Sequence, residues 1–485
     1  MFNFLPWMDE VHIVEMGKNF LSPESSFGES ILLQANGQPF IPPYYIGPVI
    51  QELLFRCFGE TGTRLWPVIG LILSAIALAW FMKSCGRYSR MCIIITSALA
   101  VSLPLFVQST RLVRIDTWVF FLCFLTCALL SKRRYNLAAV VAAISPFVWP
   151  SAIMLFPLYL MVYIENKEPA KRLLSPILIA IGVIAIMLIP LIHIFSVATS
   201  SLSQYFTVYG GGSPTGGSID VVHRLKSLVI PAIKETLRAP FFLLVAYIGM
   251  VLSLFKRKTL FIMFSFAVIA GIATGMHTFR YIYLMPYFLL FTAEAIECQN
   301  RKVNIVTRTV AWAAVAYGII CGPVAYMIAD IRNPPHEIAS KVANLLKDVP
   351  PSKIVLTNGY STYYSLRKLG ITQVSLPEQR EAMQDELIDT ILMKCDFALL
   401  ESEDRYAAIE ESYTLYGLLR DSCLDAAKRE SSAEAKSIPA RIGEAFAYGT
   451  KPPIDELLLQ HGFCDTGLSF STRDRNYRLL KRTNF

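Results

Sequence analysis

Residues 111–134 read RLVRIDTWVFFLCFLTCALLSKRR, and the order of these letters decides the fold. Arg111, Arg114 and Asp116 come first, then an uncharged run from Thr117 to Ser131, then Lys132, Arg133 and Arg134. An apolar run closed by basic residues is the pattern of a helix that crosses a bilayer with its basic end in the cytoplasm. The rest of the chain agrees. Its 485 residues are 54% hydrophobic and 17% charged, with a mean hydropathy of +0.46, too apolar and charge-poor for a soluble protein of this length. The net charge of +8 does not indicate nucleic acid, because the Lys and Arg residues punctuate the apolar segments and do not gather into one stripe. Membrane lipids are the expected surroundings.

Apolar length places about ten spans, at 65–82, 91–108, 117–131, 136–149, 150–164, 173–197, 239–255, 260–275, 281–297 and 307–329. Ser145-Pro146 and Trp149-Pro150 interrupt 136–164, which reads as two crossings or as one broken, re-entrant element. Basic residues provide an independent check. With the N-terminal segment outside, five short connections face the cytoplasm, and each carries three: Lys83, Arg87, Arg90; Lys132, Arg133, Arg134; Lys167, Lys171, Arg172; Lys256, Arg257, Lys258; and Arg301, Lys302, Arg308. Ten crossings return the chain to the side on which it began. Beyond residue 333 the composition is that of a soluble domain: strands are expected at 353–357, 372–375 and 396–400, helices at 361–368 and 382–394, and a hairpin at 467–482. The expected fold class is a polytopic α-helical membrane protein with a C-terminal soluble α/β domain. Its segments are an outer loop at 1–64, a bundle at 65–329 with an outer loop at 198–238, and the α/β domain at 330–485, which suits an acceptor-side or lid module.

Ten cysteines are scattered without a CxxC pair, so no zinc ribbon or redox motif is read. Cys395, Cys423 and Cys464 lie in the C-terminal region, where an oxidising compartment would permit one disulfide and leave one thiol over. Residues 1–30 have neither a basic start nor an apolar core, so no signal peptide is expected.

The candidate functional residues are exceptions to these patterns. Asp9 and Glu10, in PWMDEVHIVEMGKNF (6–20), read as an acidic pair in a polar loop, a natural place for a base; the bland alternative is a connecting loop with two solvated carboxylates. QPFIPPYYIGPVIQELLFRCFGE (38–60) follows, with an amphipathic helix from Tyr44 to Phe58 expected along the membrane surface. Arg111, Arg114 and Arg280 fall at outer ends of spans. An arginine near hydrocarbon costs on the order of 2.5–3.5 kcal/mol unless it snorkels or finds an anion. Three on one side suggest an anionic ligand; the alternative is structural pairing with Asp116, Glu10 or lipid headgroups. YGGGSPTGG (209–217) is not a phosphate-binding Walker loop, since no Gly-Lys-Ser/Thr follows, and suits a lid or a linker into a helix at 219–236. His223, Arg224 and Lys226 on that helix are candidates to meet phosphate or acceptor, against the plainer reading of an exposed basic turn.

Taken in order, Asp9-Glu10, the Pro-rich run leading to Thr63-Arg64-Leu65, RLVRID (111–116) and RYIYLMP (280–286) resemble the GT-C superfamily of polyprenyl-phosphate-sugar-dependent glycosyltransferases. The resemblance covers roughly residues 1–330. It is to the branch with bacterial aminoarabinose transferases, O-antigen glucosyltransferases and protein O-mannosyltransferases. It implies a bacterial inner-membrane enzyme with its first loop and C-terminal domain in the periplasm. Its donor would be a sugar on undecaprenyl phosphate, most simply glucose, and its acceptor a cell-surface glycan such as O-antigen. It also implies that Asp9 acts as general base, with Glu10 sharing its proton or holding an arginine and Asp116 orienting the acceptor or the base. Arg111, Arg114 and Arg280, with His12, would hold the donor phosphate, and Tyr44 and Tyr45 would line the lipid groove. In that family a first transmembrane helix precedes the first loop, so a helix upstream of this start is expected. Gln38-Pro39 stands where many members have His-Pro, so no metal or other cofactor is expected. Two other classes remain open: a ligase using lipid-diphosphate-linked glycan, and a transporter or flippase of lipid-linked sugars. The latter draws on the broken element at 136–164 but lacks an internal repeat.

Overall fold

Apolar runs bounded by basic turns fold as helices, because only a helix satisfies its own backbone where water is absent. The structure, a computed structural model, describes residues 8–22, 30–34, 38–209, 221–273, 278–332, 336–375, 385–403, 414–433, 436–446, 455–471 and 475–483; the side chains of Asp9, His223, Arg224 and Lys226 lie outside this description. Two units divide the chain: residues 42–325, and residues 1–41 with 326–485. This division differs from the three segments read in the sequence.

In the first unit, three helices are long and apolar enough to cross a bilayer, Ile46–Cys85, Lys171–Ser201 and Arg301–Ile328, and two bent pairs raise the number to five. The pairs are Arg90–Ser102 with Pro104–Arg111, bent by 43°, and Leu228–Arg238 with Pro240–Lys256, bent by 119°. The other expected spans are shorter apolar helices, Asp116–Ser131, Tyr135–Val148, Pro150–Glu165, Lys258–Ile272 and Ile282–Ile296. A helix of 16 residues such as Asp116–Ser131 rises only about 24 Å, short of the roughly 30 Å of hydrocarbon. The chain is a multi-pass membrane protein, yet hydropathy alone overstates how many helices span by length. Lys171–Ser201 is almost entirely unburied, as suits a lipid-facing helix.

The expected surface helix is the first part of Ile46–Cys85, which breaks at Gly59, where φ is 63° and no neighbour fills the space of a side chain. Before the break, Gln51 and Glu52 are fully buried while Leu53 and Phe58 are exposed, a polar-in, apolar-out face that suits a membrane surface. After it, the helix packs against Asp116–Ser131. Ser74 donates to the Thr117 carbonyl (2.6 Å), Thr117 to the Pro67 carbonyl (2.9 Å), and Trp118 to the Trp66 carbonyl (2.9 Å). Gly249 lets the helix Pro240–Lys256 touch Met285–Ile296: a Cβ there would lie 1.7 Å from the Phe291 carbonyl oxygen. Small residues and side-chain hydrogen bonds hold helices together where no hydrophobic drive exists.

The basic connections meet at one end of this unit. Arg257 binds Glu165 through two bonds of 2.7 Å and donates to Tyr88 (2.7 Å) and Glu294 (3.0 Å). Arg87 also reaches Glu165 (2.6 Å), the Ser89 amide donates to Glu297 (3.0 Å), and Arg133 and Arg172 both pair with Glu168 at 3.3 and 2.7 Å. Charges that the sequence presents as orientation signals are therefore also a clasp.

The second unit holds a five-stranded mixed sheet of order β2-β1-β3-β5-β4, from β1 (Ile354–Thr357), β2 (Thr372–Val374), β3 (Phe397–Glu403), β4 (Phe463–Ser471) and β5 (Arg475–Arg482). β1 runs parallel to β2 and β3, and the β4–β5 hairpin adds antiparallel to β3. Neighbouring residues point to opposite faces: Val355, Leu399 and Leu479 pack with Val342, Leu346 and Leu366, while Leu356, Ala398 and Leu480 pack with Ile391, Leu392 and Leu458. The alternation expected at 353–400 and the C-terminal hairpin are both present. All ten cysteines are free.

One sequence-based expectation is corrected here. Asp9 and Glu10 do not sit in a loop; they begin a helix, Met8–Leu21. This helix belongs to the second unit, and Leu33 enters the core of the sheet domain. Hydropathy missed the helix because it buries polar and apolar side chains alike: Glu10, Val11, Val14, Glu15 and Asn19 are all fully buried. Its partners come from far along the chain, so no local apolar stripe records it.

Candidate active site

In the membrane unit the site is built around Asp116, the first residue of the helix Asp116–Ser131, where an anion is favoured by the helix dipole. Asp116 is 1% exposed. One carboxylate oxygen accepts from Tyr283 (2.6 Å); the other accepts from Arg114 Nε (2.6 Å) and Ser109 (3.0 Å). Three donors on one carboxylate fix its direction.

Arg111, Arg114 and Asp116 share a turn whose backbone is unusual. The helix Pro104–Arg111 closes with the Arg114 amide donating to the Ser109 carbonyl (3.0 Å) and the Val113 amide to Thr110 (3.1 Å). That closure needs a left-handed residue, normally glycine, and Val113 fills it at φ 53°. For a β-branched residue this is an outlier. Gln51 braces it by donating to the Val113 carbonyl (2.8 Å). Such a conformation persists only where the surrounding structure fixes it; the same turn carries Arg114, whose Nε is held by Asp116.

The other arginines stand close by in the fold. Arg280, 4% exposed, lies in the short helix Thr278–Tyr281 three residues before Tyr283, and Arg111 is 6% exposed. The helix Val221–Arg238 packs against both Pro104–Arg111 and Thr278–Tyr281, and it carries a buried ion pair, Arg238 with Glu235 at 2.5 Å. Sequence reading singled out neither Ser109, Tyr283 nor this pair. Ser109 and Tyr283 stand within or beside the quoted motifs, where only the charged residues drew notice; the Glu235–Arg238 pair is legible as an i, i+3 spacing. Tyr44, 2% exposed, packs edge-on against Trp149 at 5.0 Å, and Tyr45 donates to the Met187 carbonyl (3.0 Å).

The remaining candidates belong to the other unit. Asp9 and Glu10 open the helix Met8–Leu21, and His12 Nε2 lies 3.0 Å from the Tyr360 hydroxyl. Glu15, which sequence reading passed over, accepts from Lys18 (2.8 Å), Tyr363 (2.6 Å) and the Ile31 amide (3.3 Å). Burial pushes its carboxyl up, but the charge and hydrogen bond of Lys18, the Tyr363 hydroxyl and Arg367 outweigh it and hold the group below its ordinary 4.5. A depressed folded-state value stabilises above the unfolded value and is lost as pH falls through the folded one. Wild type should therefore be more stable than Glu15→Gln near neutral pH, with the gap closing as pH drops below 4.5. Melting both proteins across that range checks this; a gap unchanged by acid would refute it. Among the described residues, no cluster of three or more His, Cys, Asp or Glu side chains could hold a metal ion.

A helical unit with several apolar spans, together with a C-terminal mixed sheet, is a fold that solved structures share. The structure of ArnT from Cupriavidus metallidurans, in the apo state and bound to undecaprenyl phosphate, matches with a TM-score of 0.50 at 10% identity over 83% of this chain and 89% of that one. The apo oligosaccharyltransferase of Archaeoglobus fulgidus has a TM-score of 0.47 at 10% identity, over 83% of this chain and 66% of that one. No protein-family model and no curated protein sequence matches the chain.

Proposed function

We propose that this protein is an integral-membrane glycosyltransferase that moves a sugar from undecaprenyl phosphate to a hydroxyl of a cell-surface glycan such as O-antigen, on the periplasmic face of a bacterial inner membrane. The observation that carries the reading is the buried turn in which Arg111 and Arg114 flank a three-donor Asp116 beside the Arg280 segment. Guanidinium groups match a phosphate in a bidentate way and stay charged near lipid, which suits them to a lipid-phosphate donor. The fold shared with ArnT, solved with undecaprenyl phosphate, adds support.

In this scheme Asp9 takes the proton of the acceptor hydroxyl, whose oxygen forms a bond to the anomeric carbon as the bond to the phosphate oxygen breaks. The lipid phosphate leaves with its charge met by Arg111 and Arg280. One displacement inverts the anomeric centre. Asp116 acts as a positioning residue that aims Arg114, and no metal or other cofactor is required. The test is transfer of label from radiolabelled undecaprenyl-phosphate-glucose in membranes from cells expressing this chain. Label in glycan with inverted configuration is expected. Inertness toward this donor and a panel of other lipid-phosphate sugars would overturn the reading.

A further inference from the structure

The helix Asp116–Ser131 ends, away from the candidate site, in the basic turn 132–134, which meets a second basic turn at 166–172. Asn166 donates to the Leu130 carbonyl (2.8 Å), Arg133 and Arg172 share Glu168 at 3.3 and 2.7 Å, and Ser175 donates to Asn136 (3.1 Å). The two turns therefore form one surface. Each closes on a cation in the left-handed region, Arg133 at φ 58° and Lys167 at φ 54°, where glycine is the usual residue. Together they hold six cations and one carboxylate, Glu168. Arg133 and Arg172 take that carboxylate; among the described residues Lys132, Arg134, Lys167 and Lys171 pair with no acid, and all four are exposed. Like charges gathered on two linked turns repel one another, and a bound anion relieves that. The chain leaves the second turn directly into the span Lys171–Ser201, whose apolar window is only 6% buried. Leu174, Ile177, Leu178 and Ile181 follow at helical spacing and are between 49% and 64% exposed. Cations at the head of a bare apolar helix face match a lipid, with phosphate at the turns and acyl chains along the helix.

We propose that this surface is a binding site for an anionic phospholipid whose headgroup carries two phosphate diesters, one toward Lys132 and Arg134 and the other toward Lys167 and Lys171. Two phosphates are assigned because each turn supplies two cations that no acid neutralises. The site does not depend on the transfer reading. Native mass spectrometry of the full chain in detergent, titrated with cardiolipin, phosphatidylglycerol or phosphatidylcholine, tests it. The titrations are run at about 0.15 M salt, where charges more than about 8 Å apart are screened. Wild type should take up one cardiolipin saturably, at least about 10-fold more tightly than either other lipid. Combining Lys132→Gln, Arg134→Gln, Lys167→Gln and Lys171→Gln should weaken cardiolipin binding by roughly 10- to 100-fold. Removing four other exposed cations of the basic connections, by Lys256→Gln, Lys258→Gln, Arg301→Gln and Lys302→Gln, should change it by less than about 3-fold. No saturable cardiolipin binding by wild type, or equal binding of phosphatidylglycerol or phosphatidylcholine, overturns the proposal without any variant having to fold. Unchanged affinity in the first variant, or an equal loss in both, overturns it as well.

Discussion

Membranes carrying Asp116→Asn should transfer sugar at a rate reduced by at least about 100-fold and should also contain a less stable protein, whereas Asp9→Asn should lose activity alone. The two carboxylates have different physical roles. Asp116 is buried and answers three donors. Asparagine removes its charge and turns an amide N–H₂ toward one of those donors, breaking the buried ion pair with the Arg114 guanidinium. Breaking such a pair costs about 3–5 kcal/mol, far more than a surface salt bridge. Arg114 then loses its fixed direction, so the donor phosphate is held less well. A base of the kind proposed for Asp9 contributes about 10²- to 10⁴-fold to rate without a comparable share of stability. Transfer assays paired with melting curves in detergent separate the two. Equal melting temperatures for Asp116→Asn and wild type would refute the structural half of the argument; wild-type transfer by Asp9→Asn would remove Asp9 as base and favour the ligase or transport class.

The second large effect is expected at the opposite kind of site, where no chemistry is proposed. Arg257→Ala should destabilise the membrane unit by about 3–5 kcal/mol. Its guanidinium joins Glu165, Glu294 and Tyr88, which come from three separate segments. Removing it takes that cation from Glu294 and leaves Glu165 with Arg87, and it unties the four segments that the guanidinium joins. Glu165→Gln with Arg257→Met, which removes both charges of the bidentate pair, should recover part of the loss, because an absent pair is cheaper than a broken one. Fluorescence-detected size exclusion after heating reads this directly. A melting temperature for Arg257→Ala within error of wild type would show that the clasp is not structural.

Much of the membrane unit is legible in the letters. Hydropathy marks Thr117–Ser131 as apolar, and the basic triplets mark which helix ends gather together, because both signals depend only on neighbours in sequence. RLVRID and RYIYLMP pointed to the arginines, since a charge beside an apolar run is conspicuous. Their partners were less so: Tyr283 is an ordinary residue of an apolar stretch until the fold sets its hydroxyl against Asp116, 167 residues away. A bend was missed as well: the expected span 91–108 passes through the break ahead of Pro104, which a hydropathy window does not register.

By itself, the sequence determined that this is a multi-pass helical membrane protein with a C-terminal α/β domain, because span length, charge bias and strand-helix alternation are local periodicities. Only the tertiary structure decided that residues 8–41 belong to that distant domain, with Tyr363 bonded to Glu15 across 348 positions. It alone decided that Val113 adopts a left-handed turn beside Arg114, and that Arg257 closes a clasp. Pairings of buried polar groups across hundreds of residues depend on which surfaces meet, and no periodicity in the chain encodes that.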